Sequence, residues 1–325
     1  MSNKLAIIGV GAWGINHARV ASTLRAMGYI SDAIVMDIDE ERVKYVSKLY
    51  GLKYALDFEK ILRDDEIKYA IVASPPRYHY EQTIQLLNAG KNVLVEKPMA
   101  ETSEQALELV DIAKRNNRIL MTGFLLRYSP AVQFLKKKYM ENRENMGDIL
   151  LVYSKRINPS PKREIYIGVI KDLAIHDIDL TMFLFDCAPR YVYAFGRRNG
   201  SALEYMSVIN VHLENKHDKF CLLVETSRAS PYKFRRFEVM ATKAVTILDL
   251  TRHTVEIYSE SSILKPRIPI AEPLFEEDKN FILSSNNAET PLVSGVDGYR
   301  ALLVCDKALE SLEKNSIIEI PKFEV

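Results

Sequence analysis

Cysteine is scarce in this chain and follows no pattern. Cys187, Cys221 and Cys305 stand singly among 325 residues, an odd number without metal-ligand spacing. No disulfide framework and no metal site is expected, and the thiols read as packing residues in a reducing, cytoplasmic setting. An excess of one charge is also missing. Lys and Arg number 44 against 43 Asp and Glu, a formal net charge of +1, so no general attraction to nucleic acid or to an anionic membrane surface is expected. No apolar run is long enough to cross a bilayer, and no cationic start leads into an apolar stretch. Internal repeats and low-complexity segments are absent too. What is present is ordinary globular composition, 47% hydrophobic and 27% charged, over a length that exceeds what one core usually serves. Two domains are the expectation.

Glycine is sparse as well, with 13 in the chain, yet three of them fall within six residues. Lys4–Ile8 reads as an apolar strand that breaks into Gly9-Val10-Gly11-Ala12-Trp13-Gly14 and then into a helix, Asn16–Met27. A strand that ends at glycines and turns into a helix is a way to hold a dinucleotide pyrophosphate. Gly9 permits the tight turn, Gly11 lets the backbone approach the phosphates, and Gly14 lets helix and strand pack. The helix N-terminus adds free N–H groups and the positive end of its dipole. Ala12 and Trp13 complete the loop as cofactor-binding candidates. The next strand, Ala33–Met36, ends at Asp37, placed where a carboxylate accepts the adenosine ribose hydroxyls. Asp39, Glu40 and Glu41 crowd that corner and would repel a 2′-phosphate, so NAD is expected rather than NADP. Arg42 and Lys44 lie nearby with no direction fixed by the sequence, and Asp37 also fits a strand-end turn or a helix cap.

Up to about residue 123 strand and helix alternate. Asp39–Leu49, Phe58–Leu62, Tyr78–Ala89 and Ser103–Asn116 read as helices, and Ala70–Ala73, Asn92–Val95 and Ile119–Thr122 as buried strands. Continuous apolar strands separated by amphipathic helices imply a parallel sheet covered on both faces. Its ligand would lie at the carboxyl ends of the strands, where the glycine loop, Asp37, Ser74-Pro75-Pro76 and Glu96-Lys97-Pro98 all fall. Beyond Gly123 the rhythm changes. A helix at Pro130–Met140 leads to a strand at Ile149–Ser154, then a helix at Asp172–Phe185. Mainly strands run from Tyr191 to Ile257, some with period-2 alternation, and a last helix from about Val296 to Lys314. The expected division is 1–123 for the dinucleotide and 124–325 for substrate binding and oligomerisation.

Three residues carry candidate chemistry: Lys97, Asp172 and His176. On an α-helix Asp172, His176 and Asp179 share a face while Asp177 points elsewhere. A carboxylate one turn before a histidine fixes the imidazole tautomer and raises its basicity, as oxidation of an alcohol requires. The same stretch also fits an N-cap, a half-buried histidine and a surface acid, and Lys97 alone reads as a surface lysine.

With these residues in place the chain resembles the glucose–fructose oxidoreductase/inositol dehydrogenase (Gfo/Idh/MocA) family of NAD(P)-dependent sugar oxidoreductases. The likeness is carried by the glycine motif, Val72-Ala73-Ser74-Pro75-Pro76-x-x-His79, and Ala89-Gly90-Lys91-Asn92-Val93-Leu94-Val95-Glu96-Lys97-Pro98. It continues through Gly147-Asp148 and Asp172-x-x-x-His176-x-x-Asp179. It implies an α/β Rossmann domain, a doubly wound parallel sheet, plus a C-terminal α+β domain with a large, open, mostly antiparallel sheet through which homodimers or homotetramers form. It implies that Ser74, Pro75, His79, Glu96 and Lys97 meet the cofactor, that a cis peptide precedes Pro98, and that Lys97 bridges nicotinamide ribose and reacting hydroxyl. His176 would be the proton acceptor, with Asp172 orienting it or Lys97. An imidazole titrates near pH 6.5, whereas a lysine near 10.4 would need a large downward shift to act as the base. Some members are dinucleotide-binding regulators without turnover, but all three catalytic positions are filled here.

For substrate, Lys155-Arg156-Ile157-Asn158-Pro159-Ser160-Pro161-Lys162-Arg163 reads as a proline-broken loop with four cations. Arg156 and Arg163 would suit a diphosphate, although a solvated loop or an oligomer contact fits the charge equally. This segment, with Gly168-Val169-Ile170-Lys171-Asp172-Leu173-Ala174-Ile175-His176-Asp177-Ile178-Asp179, resembles the archaeal-type UDP-N-acetylglucosamine 3-dehydrogenase branch, except that Asn158 stands where that branch has glycine. Pro291-Leu292-Val293-Ser294-Gly295-x-Asp297-Gly298 fits the same branch. The resemblance implies oxidation of the sugar 3-hydroxyl. A dehydrogenase of a free polyol or hexose such as myo-inositol is the rival. Arg127, just past the first domain, is a further candidate to face the sugar, or to hold the domain junction.

Overall fold

The computed structural model describes residues 3–141, 143–160, 165–198, 200 and 202–323. The chain divides into two compact units, Met1–Leu125 with Glu272–Tyr299, and Leu126–Ala271 with Arg300–Val325. The first unit opens with β1 (Lys4–Ile8), α1 (Gly14–Ala26), β2 (Asp32–Met36), α2 (Glu40–Tyr50), β3 (Lys53–Ala55) and α3 (Phe58–Arg63). β4 (Ile67–Val72), α4 (His79–Asn88), β5 (Asn92–Glu96), α5 (Ser103–Arg115) and β6 (Leu120–Gly123) follow. Its six strands are all parallel, in the order β3-β2-β1-β4-β5-β6. The order reverses on either side of β1, and such a switch point opens the crevice where open α/β sheets bind ligands. Leu5, Ile7, Val72, Val93, Leu94 and Val95 are fully buried, which is why these strands read as unbroken apolar runs.

The second unit holds α6 (Pro130–Glu141), α7 (Arg143–Met146), β7 (Ile149–Ile157), α8 (Ile175–Phe185), β8 (Ala188–Arg198), β9 (Glu204–Glu214) and β10 (Lys219–Ser227). β11 (Phe234–Ala241), β12 (Ala244–Asp249), β13 (Thr254–Ser259) and β14 (Ile263–Leu264) complete the run of strands. α9 (Pro273–Ser285) follows and lies in the first unit. α10 (Gly295–Lys314) passes from the first unit to the second, and β15 (Ile318–Glu319) ends the series. The nine strands are ordered β14-β13-β12-β11-β7-β10-β9-β8-β15. β7 and β10 run parallel and the other pairings are antiparallel, so the sheet is mostly antiparallel, as expected. Burial alternates along β7, β9, β10 and β12. One face of the sheet is packed under helices and the other is open.

Three expectations are corrected. The first domain does not end once at residue 123: α9, which the sequence reading missed, returns to pack on α1. Lys155 and Arg156 are not loop residues, because β7 runs on to Ile157 and pairs on both sides. The helix expected over 172–185 is two pieces, a π-helical turn at Ile170–Ala174 running into α8.

Candidate active site

In the first unit the glycine loop is built for close approach. Gly9 has φ +85°, and a Cβ there would lie 2.6 Å from the Ser74 backbone; at Gly14 it would lie 1.9 Å from the Gly9 carbonyl oxygen. Neither position admits a side chain. Nothing stands within 4 Å of a Cβ on Gly11, the open space a pyrophosphate needs. No side chain caps α1 and no acid occupies its first turn, which leaves the positive end of the helix to an anion. Asp37 is buried at the end of β2, where Oδ2 accepts from the Val10 N–H at 2.9 Å and Oδ1 from the Asp39 N–H at 3.0 Å. Arg42 reaches back to it at 3.4 Å and to Asp39 at 2.8 Å. These residues fit a dinucleotide with an unphosphorylated ribose.

Ser74 donates its hydroxyl to Gln82 at 2.7 Å, and Pro75 leads into a short 3₁₀ turn, Pro76–Tyr78. His79 is buried. Its Nδ1 faces the Pro98 carbonyl at 2.8 Å and its Nε2 the Ser74 carbonyl at 2.7 Å. Set between these two carbonyls, His79 ties the β4 exit to the turn after Lys97. Burial pushes its pKa down. The peptide between Lys97 and Pro98 is cis, as the resemblance implied.

Behind Lys97 lies a chain of buried charges that the sequence reading did not find. Glu96 Oε1 accepts from the indole N–H of Trp13 at 2.6 Å and faces His17 Nε2 at 3.2 Å. His17 Nδ1 stands 3.0 Å from both oxygens of Asp278 on α9. Glu96 Oε2 accepts the Lys97 backbone N–H at 3.1 Å, and Gly123 leaves room for the carboxylate, since a Cβ there would lie 2.8 Å from it. Burial alone would pull His17 down, but Asp278 and then Glu96 outweigh it and hold its pKa well above the ordinary 6.5. Burial pushes Asp278 upward against the pull of His17, and Glu96 stays low because His17, Lys97 and Trp13 outweigh its burial. The available signal was His17 itself, on the buried face of α1.

Asp172 and His176 belong to the second unit, on the π turn and the first turn of α8, and both are half-buried. The turn is seated by Glu204, which accepts the Ile170 N–H at 2.9 Å and fills the space a side chain on Gly168 would need. Asp172 pairs with Arg228, whose other nitrogen donates to the Ile167 carbonyl at 2.8 Å. The remaining acids of this helix are structural. Asp179 is buried against Arg127, with contacts of 3.1 and 2.5 Å, and so does not join Asp172 and His176 on an exposed face. Asp177 is buried against Arg156, with contacts of 2.7 and 2.8 Å. Two of the three arginines proposed for substrate, Arg127 and Arg156, are therefore held by carboxylates inside the unit. Arg127 also lies over the Phe183 ring at 4.8 Å. Arg163 lies outside the described residues. Among the described residues no group of His, Cys, Asp and Glu is arranged to hold a metal, and no helix is long and apolar enough to cross a membrane.

A model of the GFO_IDH_MocA oxidoreductase family, NAD-binding Rossmann fold, matches residues 3–124, and that of the GFO/IDH/MocA C-terminal domain matches 137–247. The myo-inositol 2-dehydrogenase of Thermotoga maritima is 25% identical over 98% of this chain and 98% of its own length. The UDP-N-acetylglucosamine 3-dehydrogenase of Acidithiobacillus ferrooxidans is 26% identical over 82% of this chain and 80% of its own. A solved structure of the latter enzyme superimposes with a TM-score of 0.85 at 24% identity, covering 97% of this chain and 99% of that one. Levoglucosan dehydrogenase in complex with NADH gives 0.86 at 20% identity, covering 99% and 100%.

Proposed function

Because the chain belongs to the GFO/IDH/MocA family of NAD-binding sugar oxidoreductases, we propose that it oxidises a sugar secondary hydroxyl to a ketone, and that its substrate is the 3-hydroxyl of UDP-N-acetylglucosamine. The observation that carries hydride transfer is the dinucleotide cradle itself: open space at Gly11, the carboxylate of Asp37, and a buried network that ends at the backbone of Lys97. NAD supplies the hydride acceptor when bound. His176 takes the proton of the reacting hydroxyl as the carbon gives up its hydride, and Asp172 orients the base. Lys97 stabilises the oxygen as negative charge develops on it. The substrate choice is supported by likeness to the Acidithiobacillus enzyme in sequence and fold and by the Gly168–Asp179 stretch.

A polyol dehydrogenase is the second reading, favoured by the full-length match to myo-inositol 2-dehydrogenase and by the engagement of Arg127 and Arg156 with Asp179 and Asp177. NADH formation separates the two. The protein is given NAD with UDP-N-acetylglucosamine, other UDP-sugars, myo-inositol or glucose, with NADH reoxidised by a coupled system because the keto sugar lies uphill. Turnover of UDP-N-acetylglucosamine alone, abolished by Lys97→Ala, establishes the first reading; turnover of a free polyol alone replaces it with the second.

A further inference from the structure

Among the polar atoms of the second unit that are buried without a hydrogen-bonding partner, Arg235 Nε and Asn158 Oδ1 lie at one end of the nine-stranded sheet. Arg235 sits directly across the β7–β11 ladder from Arg156, and the next pair along is Ile157 with Phe234, so Asn158 falls beside Lys233 and Arg235. Like charges directly opposite on a sheet repel. Arg156 is neutralised by Asp177 and Arg228 by Asp172, but no carboxylate among the described residues pairs with Arg235. Burial, and then Arg156, pull its pKa down to about 10, against the opposite influence of Asp177 and Asp172. Lys233 is lowered in turn, first by Arg235. A concentrated positive charge, half-buried and unbalanced, is unfavourable in the free protein. It lies within electrostatic reach of Asp172, one of the proton-transfer residues proposed above, and the charge of an anionic ligand would offset it.

We propose that Arg235 and Lys233 recognise the diphosphate of a nucleoside diphosphate sugar, with Asn158 accepting a hydrogen bond from a hydroxyl or N–H of the same molecule. Two adjacent cations match two phosphate charges, and the guanidinium fork fits phosphate oxygens bidentately. The assignment rests on the nucleotide-sugar reading and gives it cations other than Arg127 and Arg156. It also gives a role to Asn158, the position at which this chain departs from the branch it resembles.

Arg235→Met keeps most of the aliphatic stem and removes the charge. Relief of repulsion predicts a Tm equal to or above that of the parent protein. KM for UDP-N-acetylglucosamine rises at least about 20-fold, the scale of a lost charge-assisted hydrogen bond, with little change in kcat. Inhibition by UDP weakens in parallel, and Arg235→Lys restores part of the loss. NADH affinity, read from the fluorescence of Trp13, the chain's one tryptophan, stays at the parent value. An unchanged KM in both Arg235→Met and Lys233→Ala, with UDP-N-acetylglucosamine still turned over, overturns the site and leaves the nucleotide-sugar reading standing. Calorimetric binding of a sugar monophosphate that depends on Arg235, in a protein that ignores UDP, keeps a phosphate site here and overturns the diphosphate assignment together with that reading. Absence of binding to UDP and to sugar phosphates alike overturns both.

Discussion

At the residue scale, the buried charges divide by what removing each would expose. Arg156 and Asp177 are a buried, two-contact pair, and stripping one partner from such a pair costs about 3–5 kcal/mol. Arg156→Ala is therefore expected to lower the urea midpoint sharply, and an accompanying fall in activity would report on folding rather than on substrate. His17 gives a pH signature. Its pKa is raised in the fold by Asp278 and Glu96, so its contribution to stability is fully present below the unfolded value and is lost as pH rises through the folded one. The Tm difference between the parent protein and His17→Gln should then be largest near pH 6 and shrink on the alkaline side. A difference that grows with pH would mean that His17 is neutral in the fold. Because Glu96 also accepts the Lys97 backbone N–H, the same variant should shift the alkaline limb of the pH–rate profile.

At the element scale, the glycine loop makes a differential prediction. Gly14→Ala places a methyl 1.9 Å from the Gly9 carbonyl and is expected to displace α1 from β1, with loss of both stability and NAD binding. Gly11→Ala meets nothing within 4 Å, so it should melt like the parent protein and lose NAD affinity alone; equal affinity would place the pyrophosphate elsewhere. This loop was legible in the sequence because its determinants are local: strand period, turn glycines and helix start lie within a few residues of one another. α9 was not legible. Its link to α1, Asp278 to His17, joins residues 261 apart, and no local pattern reports such a pairing. The Arg127–Asp179 and Arg156–Asp177 pairs span 52 and 21 residues, so cations that looked available for substrate turned out to be satisfied within the fold. An α-helical wheel also misjudges the Asp172–Asp179 segment, because a π turn occupies Ile170–Ala174 and changes the angular step between Asp172 and the residues after it. Lys97 follows the end of β5 and His176 lies in the first turn of α8, elements that the sequence pattern placed closely.

At the scale of the whole molecule, the open face of the nine-stranded sheet poses the remaining question. Along β8, Val192 and Ala194 are buried while the alternate residues Tyr191, Tyr193 and Phe195 are 46%, 40% and 56% exposed. Their partners across the β8–β9 ladder are His212, Asn210 and Val208, so the aromatic row continues into a neutral surface rather than a charged one. Monomeric proteins rarely leave a contiguous apolar patch of this kind in water. Self-association is expected to use this face, with a second copy of the same chain, carrying the same aromatic row, as its complement. Light scattering is expected to give a multiple of the chain mass. Phe195→Glu combined with Tyr193→Glu should yield a monomer with an unchanged circular dichroism spectrum, since both side chains point away from the packed face. A parent protein that is itself monomeric at micromolar concentration would refute the interface.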